Sequence, residues 1–133
     1  MLRRQVTQRA KSRCEYCKLS QAGQEAIFHI DHIIPEMDGG ATTLDNLALA
    51  CVSCSLRKGA RQVANDPVTG TLVRLFHPRL QIWQDHFKYD GVRAVGLTPV
   101  GRATLNVLKM NRLVLQAIRA EESMLGRHPP PLD

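Results

Sequence analysis

Two Cys-x-x-Cys pairs constrain this chain more than any other feature, because a shared metal ion would bring two distant segments together. Cys14 and Cys17 form the first pair, and Cys51 and Cys54 form the second, with residues 18–50 between them. Two such turns, each offering two thiolates, make a closed tetrahedral zinc site. We therefore predict a structural zinc ion on the four cysteines, with free buried cysteines or a redox pair as alternatives.

An apolar, β-favouring run between the pairs contains an adjacent carboxylate and imidazole. Residues 26–34 predict a strand that ends at Pro35, and residues 47–51 predict the returning strand. Asp31 and His32 lie within the first strand. A carboxylate suits a hard divalent cation, and an imidazole, with an ordinary pKa near 6.5, can accept a proton at neutral pH. The alternatives are a solvated carboxylate and a packed core histidine.

The other elements are predicted from periodicity and turn residues. Residues 2–12 predict an amphipathic helix on Leu2, Val6 and Ala10, and residues 53–57 predict a helix that Gly59 ends. Further along we expect a strand over 72–76, a short helix over 78–87, a hairpin over 86–97, a helix starting at Thr98-Pro99 and a last helix capped by Asn111.

The predicted fold class is α+β, with a core over 1–62 and an extension over 63–133 made of a hairpin and two helices. On the last helix, Val114, Ala117, Ile118 and Leu125 are predicted to face inward. The tail that begins with His128-Pro-Pro-Pro is expected to be disordered.

The charge of the chain is basic and unevenly placed. Lys and Arg outnumber Asp and Glu by 18 to 12, yet residues 25–45 carry five acidic residues and no Lys or Arg. A basic rim around an acidic centre suits a phosphate-bearing ligand such as nucleic acid, although a solvated basic surface is the alternative. Arg4 and Lys11 of the first helix are candidate contacts.

No secretory signal or membrane-length apolar run is evident, so we expect a soluble, cytoplasmic protein without a membrane partner. In that compartment, paired cysteines indicate metal more than disulfides.

Several motifs in order resemble the HNH endonuclease family, particularly its zinc-clipped members. They are Asp31-His32-Ile33-Ile34-Pro35, Gly39-Gly40, Asn46-Leu47, Cys51-x-x-Cys54 and Lys58-Gly59. The C-terminal part also resembles the extension of a subgroup of small bacterial HNH proteins. The resemblance implies a ββα-metal fold and metal-dependent cleavage of phosphodiesters in DNA, by nicking or cutting.

The resemblance also implies residue roles. Asp31 would bind a catalytic divalent cation such as Mg²⁺ or Mn²⁺, His32 would be the general base, and Asn46 would hold the loop that orients it. Asn46 could instead be only a turn residue. The second cation ligand in the family is generally Asn or His, whereas this chain has Ser55, a shorter and weaker donor. His29 shares the strand face of Asp31 and is either structural or a phosphate or metal contact.

Three basic residues, Lys58, Arg57 and Arg61, follow the second cysteine pair and are predicted to contact backbone phosphate. Their alternative is capping of the helix C-terminus. The sequence therefore predicts an endonuclease with a His general base and one divalent cation. The alternatives are a zinc-stabilised nucleic-acid-binding module with impaired catalysis and a zinc-stapled protein-interaction domain.

Overall fold

The computed structural model describes residues 1–132, and its secondary structure is a mixture of short helices and three two-stranded antiparallel sheets. The helices are α1 (Leu2–Arg9), α2 (Val52–Lys58), α3 (Trp83–His86), α4 (Pro99–Val107) and α5 (Leu113–Met124). The strands are β1 (His29–His32), β2 (Leu47–Ala50), β3 (Val63–Asn65), β4 (Leu72–Arg74), β5 (Phe87–Asp90) and β6 (Arg93–Gly96). The predicted α+β class is confirmed.

The first sheet and the helix after it form the strand, loop, strand, helix unit that the sequence predicts. β1 pairs with β2 so that His29 lies opposite Ala50 and Asp31 opposite Ala48. All four residues of β2 are buried, and α2 follows it directly. Gly59 ends α2 with a positive φ of 51°, as predicted.

β1 is shorter than the predicted strand over 26–34, because side chains satisfy the backbone on both sides of it. The Gln21 amide accepts from the Phe28 N–H and donates to the Ala26 carbonyl. After β1, the Asn46 side chain pairs with the Ile34 backbone. α1 also ends early, since Lys11 and Ser12 have positive φ values of 54° and 57°.

The extension contains one hairpin that the sequence did not predict. β3 and β4 form it on either side of residues 66–71, and β5 and β6 form the predicted second hairpin. Thr98 caps α4 as expected, because its hydroxyl accepts from the Gly101 N–H. Asn111 does not cap α5, since its amide exchanges two hydrogen bonds with the Ala94 backbone.

The predicted inward face of α5 is wrong. Val114, Ala117 and Leu125 are exposed and Ile118 is half-buried, whereas Leu115, Arg119 and Glu122 are buried. The two charged side chains are buried because both are paired: the Arg119 guanidinium donates to the Val92 and Met110 carbonyls, and Glu122 pairs with Arg127.

The tail also departs from the expected disorder within the described residues. The His128 ring contacts Tyr89 edge-on, its Nε2 lies 2.8 Å from the Gly91 carbonyl, and Pro130 is buried. Asp133 lies outside the described residues.

One hydrophobic cluster joins the two halves of the chain. It contains Val6, Tyr16, Phe28 and β2 from the first half and Phe76, Trp83, Phe87, Leu108 and Met110 from the second. The division at residue 62 stays a prediction, and the two segments share this cluster. Among residues 1–132, no helix is both long and apolar enough to cross a bilayer.

Candidate metal centre and cleavage site

The structure brings the two cysteine pairs to one buried point. The four Sγ atoms lie within 4.8 Å of one another, and all four residues are buried. Cys17 Sγ and Cys51 Sγ are 3.7 Å apart. Two ligands of a tetrahedral zinc ion, with bonds of about 2.3 Å, are separated by roughly 3.8 Å. The set therefore fits a metal ion held by four thiolates, as the sequence predicts.

Backbone amides complete each cysteine turn. The Cys17 N–H donates to Cys14 Sγ, and the Cys54 N–H donates to Cys51 Sγ, each at 3.4 Å. Hydrogen bonds with the neighbouring sulfurs, together with burial, raise the pKa of the Cys54 thiol well above its usual value. Hydrogen bonds with the other three cysteines lower the pKa of the Cys14 thiol, against the effect of its burial. A cation bound by the four sulfurs would replace their remaining protons.

The first cysteine turn is anchored to both β2 and the extension. The Glu15 carboxylate accepts from the Leu49 N–H at 2.9 Å, and Arg79 pairs with the same carboxylate. On the other side, Trp83 Nε1 donates to the Tyr16 carbonyl at 2.8 Å and the Tyr89 hydroxyl donates to the Cys17 carbonyl. No pattern in the sequence predicts the contacts of Trp83 and Tyr89, each of which spans more than 60 residues of chain.

An open cleft lies between β1 and α2. It is lined by Ile30, Asp31, His32, Pro35, Glu36, Ser55, Gly59 and Ala60. The cleft therefore brings together the predicted cation ligand, the predicted base and the predicted second ligand. Its donor set, a carboxylate and a hydroxyl with a second carboxylate at Glu36, is of the oxygen type that Mg²⁺ and Mn²⁺ prefer.

His32 is half-buried, and one of its nitrogens is engaged. Nε2 lies 2.8 Å from Thr42 Oγ1 and 3.8 Å from a Glu36 carboxylate oxygen. When Nε2 carries the proton and donates to Thr42, Nδ1 is the acceptor nitrogen of the neutral ring. Thr42 was not among the predicted site residues, since nothing in its spacing shows that its loop returns to β1.

Asn46 holds that loop against the end of β1. It is 8 % exposed; its Oδ1 accepts from the Ile34 N–H, and its Nδ2 donates to the Ile34 and Ala41 carbonyls, all at 2.9 Å. Gly40 lies beside the same contacts, and a Cβ there would come within 1.8 Å of the Ile34 carbonyl oxygen. These hydrogen bonds fix the position of the loop relative to His32.

Ser55 has a basic partner. Its Oγ lies 2.8 Å from His29 Nδ1, and both side chains are half-buried. His29 is therefore engaged with the residue at the second ligand position and does not line the cleft among its described residues. The sequence placed His29 on the face of Asp31, but it did not predict the contact with α2.

The predicted phosphate contacts have different surroundings. Lys58 is 3 % exposed, and its ammonium donates to the Ile33 carbonyl at 3.0 Å. This buried position argues against the predicted contact of Lys58 with backbone phosphate. Burial lowers its pKa, and the nearby Asp31 carboxylate opposes that shift. Arg57 is half-buried, whereas Arg4, Lys11 and Arg61 are exposed.

Comparison with known proteins identifies one segment. Residues 14–61 match the family model described as HNH endonuclease, and the matched segment contains all four cysteines and the cleft residues from Ile30 to Ala60. Comparison of the chain with curated proteins and with solved structures gave no match.

Proposed function

We propose that this protein hydrolyses phosphodiester bonds in DNA with His32 as general base, since residues 14–61 match the HNH endonuclease family model. The observation that carries the proposal is the cleft in which Asp31, His32 and Ser55 meet beside the four-cysteine centre. A purely structural zinc module would not require Asp31, His32 and Ser55 to lie in one cleft.

His32 takes the proton in the proposed reaction. The Thr42 contact at Nε2 leaves Nδ1 to accept a proton from the attacking water as its oxygen bonds to phosphorus. The bond between phosphorus and the leaving 3′ oxygen then breaks, and that oxygen is protonated from solvent. Asn46 acts through the loop that carries Thr42, and so it is a positioning residue.

Asp31 and Ser55 would hold the catalytic cation. Bound there, Mg²⁺ or Mn²⁺ would supply positive charge that offsets the charge developing on the phosphate oxygens. His29 would orient the Ser55 hydroxyl; when its Nδ1 accepts a hydrogen bond from that hydroxyl, the oxygen lone pairs point away from the imidazole. The four cysteines would hold zinc, which has no open position for chemistry when four sulfurs surround it.

The substitution of Ser55 for the usual amide or imidazole ligand supports a second candidate function. In that case the protein is a zinc-stabilised module that binds nucleic acid without cutting it. Binding would rest on exposed basic residues such as Arg4 and Arg61, which would contact backbone phosphate.

A plasmid assay separates the two functions. Supercoiled DNA incubated with the protein and Mg²⁺, Mn²⁺ or Ni²⁺ is expected to be nicked, and His32→Ala is expected to lower the rate by about 10²–10⁴, the usual contribution of a general base. Thr43→Ala, in the same loop with an exposed side chain, is the matched control and should cleave like the parent. A gel shift without nicking by the parent would support the second function instead.

A further inference from the structure

A second hollow lies beside the cleft between β1 and α2, and we call it the basic pocket. It is lined by Ile33, Ile34, Lys58, Arg61, Gln62, Arg74, Leu75, Phe76, His77, Leu80 and Gln81. Both hollows are lined by the same two chain segments, 30–36 and 55–62. Some residues of each segment line the cleft, and others line the basic pocket. The two hollows are therefore neighbours, and the other wall of the basic pocket comes from the extension.

The two arginines of the basic pocket have no acidic partners within the described residues. No Asp or Glu is among its lining residues, and the guanidinium groups of Arg61 and Arg74 are exposed and make no hydrogen bond or ion pair within residues 1–132. The acidic side chain that reaches the rim, Asp38, accepts from the Gln62 amide at 2.9 Å. Unpaired cations around a hollow favour an anionic ligand.

Two further side chains offer neutral donors. His77 Nδ1 accepts from the Arg79 N–H at 3.1 Å, so its remaining proton lies on Nε2. Burial lowers the pKa of His77, and the charges of Arg74 and Lys58 act in the same direction, which favours the neutral ring. Gln81 uses its oxygen to accept from the His77 N–H, and its amide hydrogens make no bond within the described chain.

The rest of the pocket wall is apolar. Ile34, Leu75 and Leu80 line it, and the Leu80 side chain is largely exposed. A phosphate alone makes no use of such a wall. A nucleobase does, but only when it is unpaired, because the bases of a duplex are stacked inside the helix and only their edges are accessible.

We propose that the basic pocket binds one unpaired nucleotide of the strand whose scissile phosphate lies in the neighbouring cleft. Arg61 and Arg74 hold the backbone phosphate, the base lies against Leu80, and Gln81 donates to the base edge. The inference deepens the proposed function, since it names a single-stranded or frayed substrate. It follows that the protein prefers single strands or duplex ends to intact duplex.

Binding measurements with a non-cleaving protein test this inference. In the His32→Ala background, fluorescence anisotropy compares a labelled single strand of about 12 nucleotides, long enough to cross the pocket and the cleft, with the matched blunt duplex. Adding Arg61→Gln and Arg74→Gln is expected to weaken single-strand binding at least about tenfold. It should also lower the salt slope by about 0.7, since the contact with one phosphate is lost. Duplex binding should change less than about twofold.

Two variants complete the test. Arg93→Gln, an exposed arginine on β6 away from the pocket, should leave both affinities unchanged. Leu80→Ser should weaken single-strand binding without changing the salt slope. Equal losses for duplex and single strand, or no loss for either, would overturn the inference even if the parent cuts plasmid. The expected losses without any plasmid cleavage would instead sustain the pocket and overturn the nuclease proposal.

Discussion

At the scale of single residues, the contact between His29 and Ser55 bears most directly on catalysis. Serine is a short and neutral oxygen donor, yet its hydroxyl is held by an imidazole at 2.8 Å. That hydrogen bond fixes the direction of the oxygen lone pairs, so a weak ligand is at least preoriented. In the proposed site, the second ligand position is therefore a pair of residues in contact, His29 and Ser55.

Replacing Ser55 with asparagine tests whether this position binds the cation. The amide carbonyl reaches further into the cleft, so Ser55→Asn is expected to tighten Mn²⁺ binding by roughly tenfold, or about 1.4 kcal/mol. Isothermal titration calorimetry measures the affinity. Leu56→Asn, one residue further along α2 and 73 % exposed, is the matched control. Equal affinities of the parent and Ser55→Asn would remove Ser55 from the ligand set.

At the scale of elements, the hairpin of β3 and β4 is fastened to α4 through one buried carboxylate. Asp66 is fully buried and accepts from Arg102 Nε at 3.0 Å and Arg102 Nη2 at 2.8 Å. It also accepts from the Val68 N–H and the Thr69 hydroxyl inside the hairpin turn. Since β4 carries Arg74, this carboxylate also supports one wall of the basic pocket.

The Asp66 contact predicts a specific dependence of stability on pH. The hydrogen bonds from Arg102 hold the pKa of Asp66 well below its ordinary value. A depressed pKa stabilises the folded state above the unfolded value, near 3.9, and that contribution is lost as the pH falls toward the folded value. Urea midpoints of the parent should therefore fall between about pH 5 and about pH 2 more steeply than those of Asp66→Asn.

Asp90→Asn, in the exposed turn of the second hairpin, serves as the control for this pH series. It should retain the steep fall of the parent. Parallel curves for Asp66→Asn and the parent would show that the Arg102 contact does not stabilise the fold.

At the scale of the whole molecule, the metal centre and the extension are parts of one packed unit. Trp83 and Tyr89 bond to carbonyls of the first cysteine turn, and the hydrophobic cluster runs from α1 to Met110. Residues that are far apart in the chain thus depend on the same buried centre. Loss of the metal ion should disturb the extension as well as the segment 1–62.

Removal of zinc tests this coupling through Trp83, the single tryptophan of the chain. A strong chelator is expected to unfold residues 1–62 and to expose Trp83, which is 5 % exposed in the structure, so its fluorescence should shift to longer wavelength. Cys54→Ser should show the shifted spectrum without chelator. Added zinc should restore the original spectrum of the chelator-treated parent but not that of Cys54→Ser. Full folding of pure protein that contains no zinc by elemental analysis would contradict the prediction.

Local patterns in the sequence determined the strand, loop, strand, helix unit, the four-cysteine set, the second hairpin and the cap of α4. Each depends on residues that are close in the chain or on ligand chemistry that allows few partners. The resemblance to the HNH family identified Asp31, His32, Asn46 and Ser55, and the structure brings three of them into one cleft. The local elements were predictable because spacing and side-chain chemistry specify them, whereas the site residues were implied by the resemblance.

Only the tertiary structure decided which buried polar groups are paired. The burial of Arg119 and Glu122 contradicts the predicted inward face of α5. Lys58 was expected to contact phosphate, but it is buried and donates to the Ile33 carbonyl. The partners of His29, Thr42 and Trp83 likewise could not be predicted from the sequence. The physical reason is the same in each case: a polar side chain can be buried only where a partner satisfies it, and periodicity carries no information about that partner.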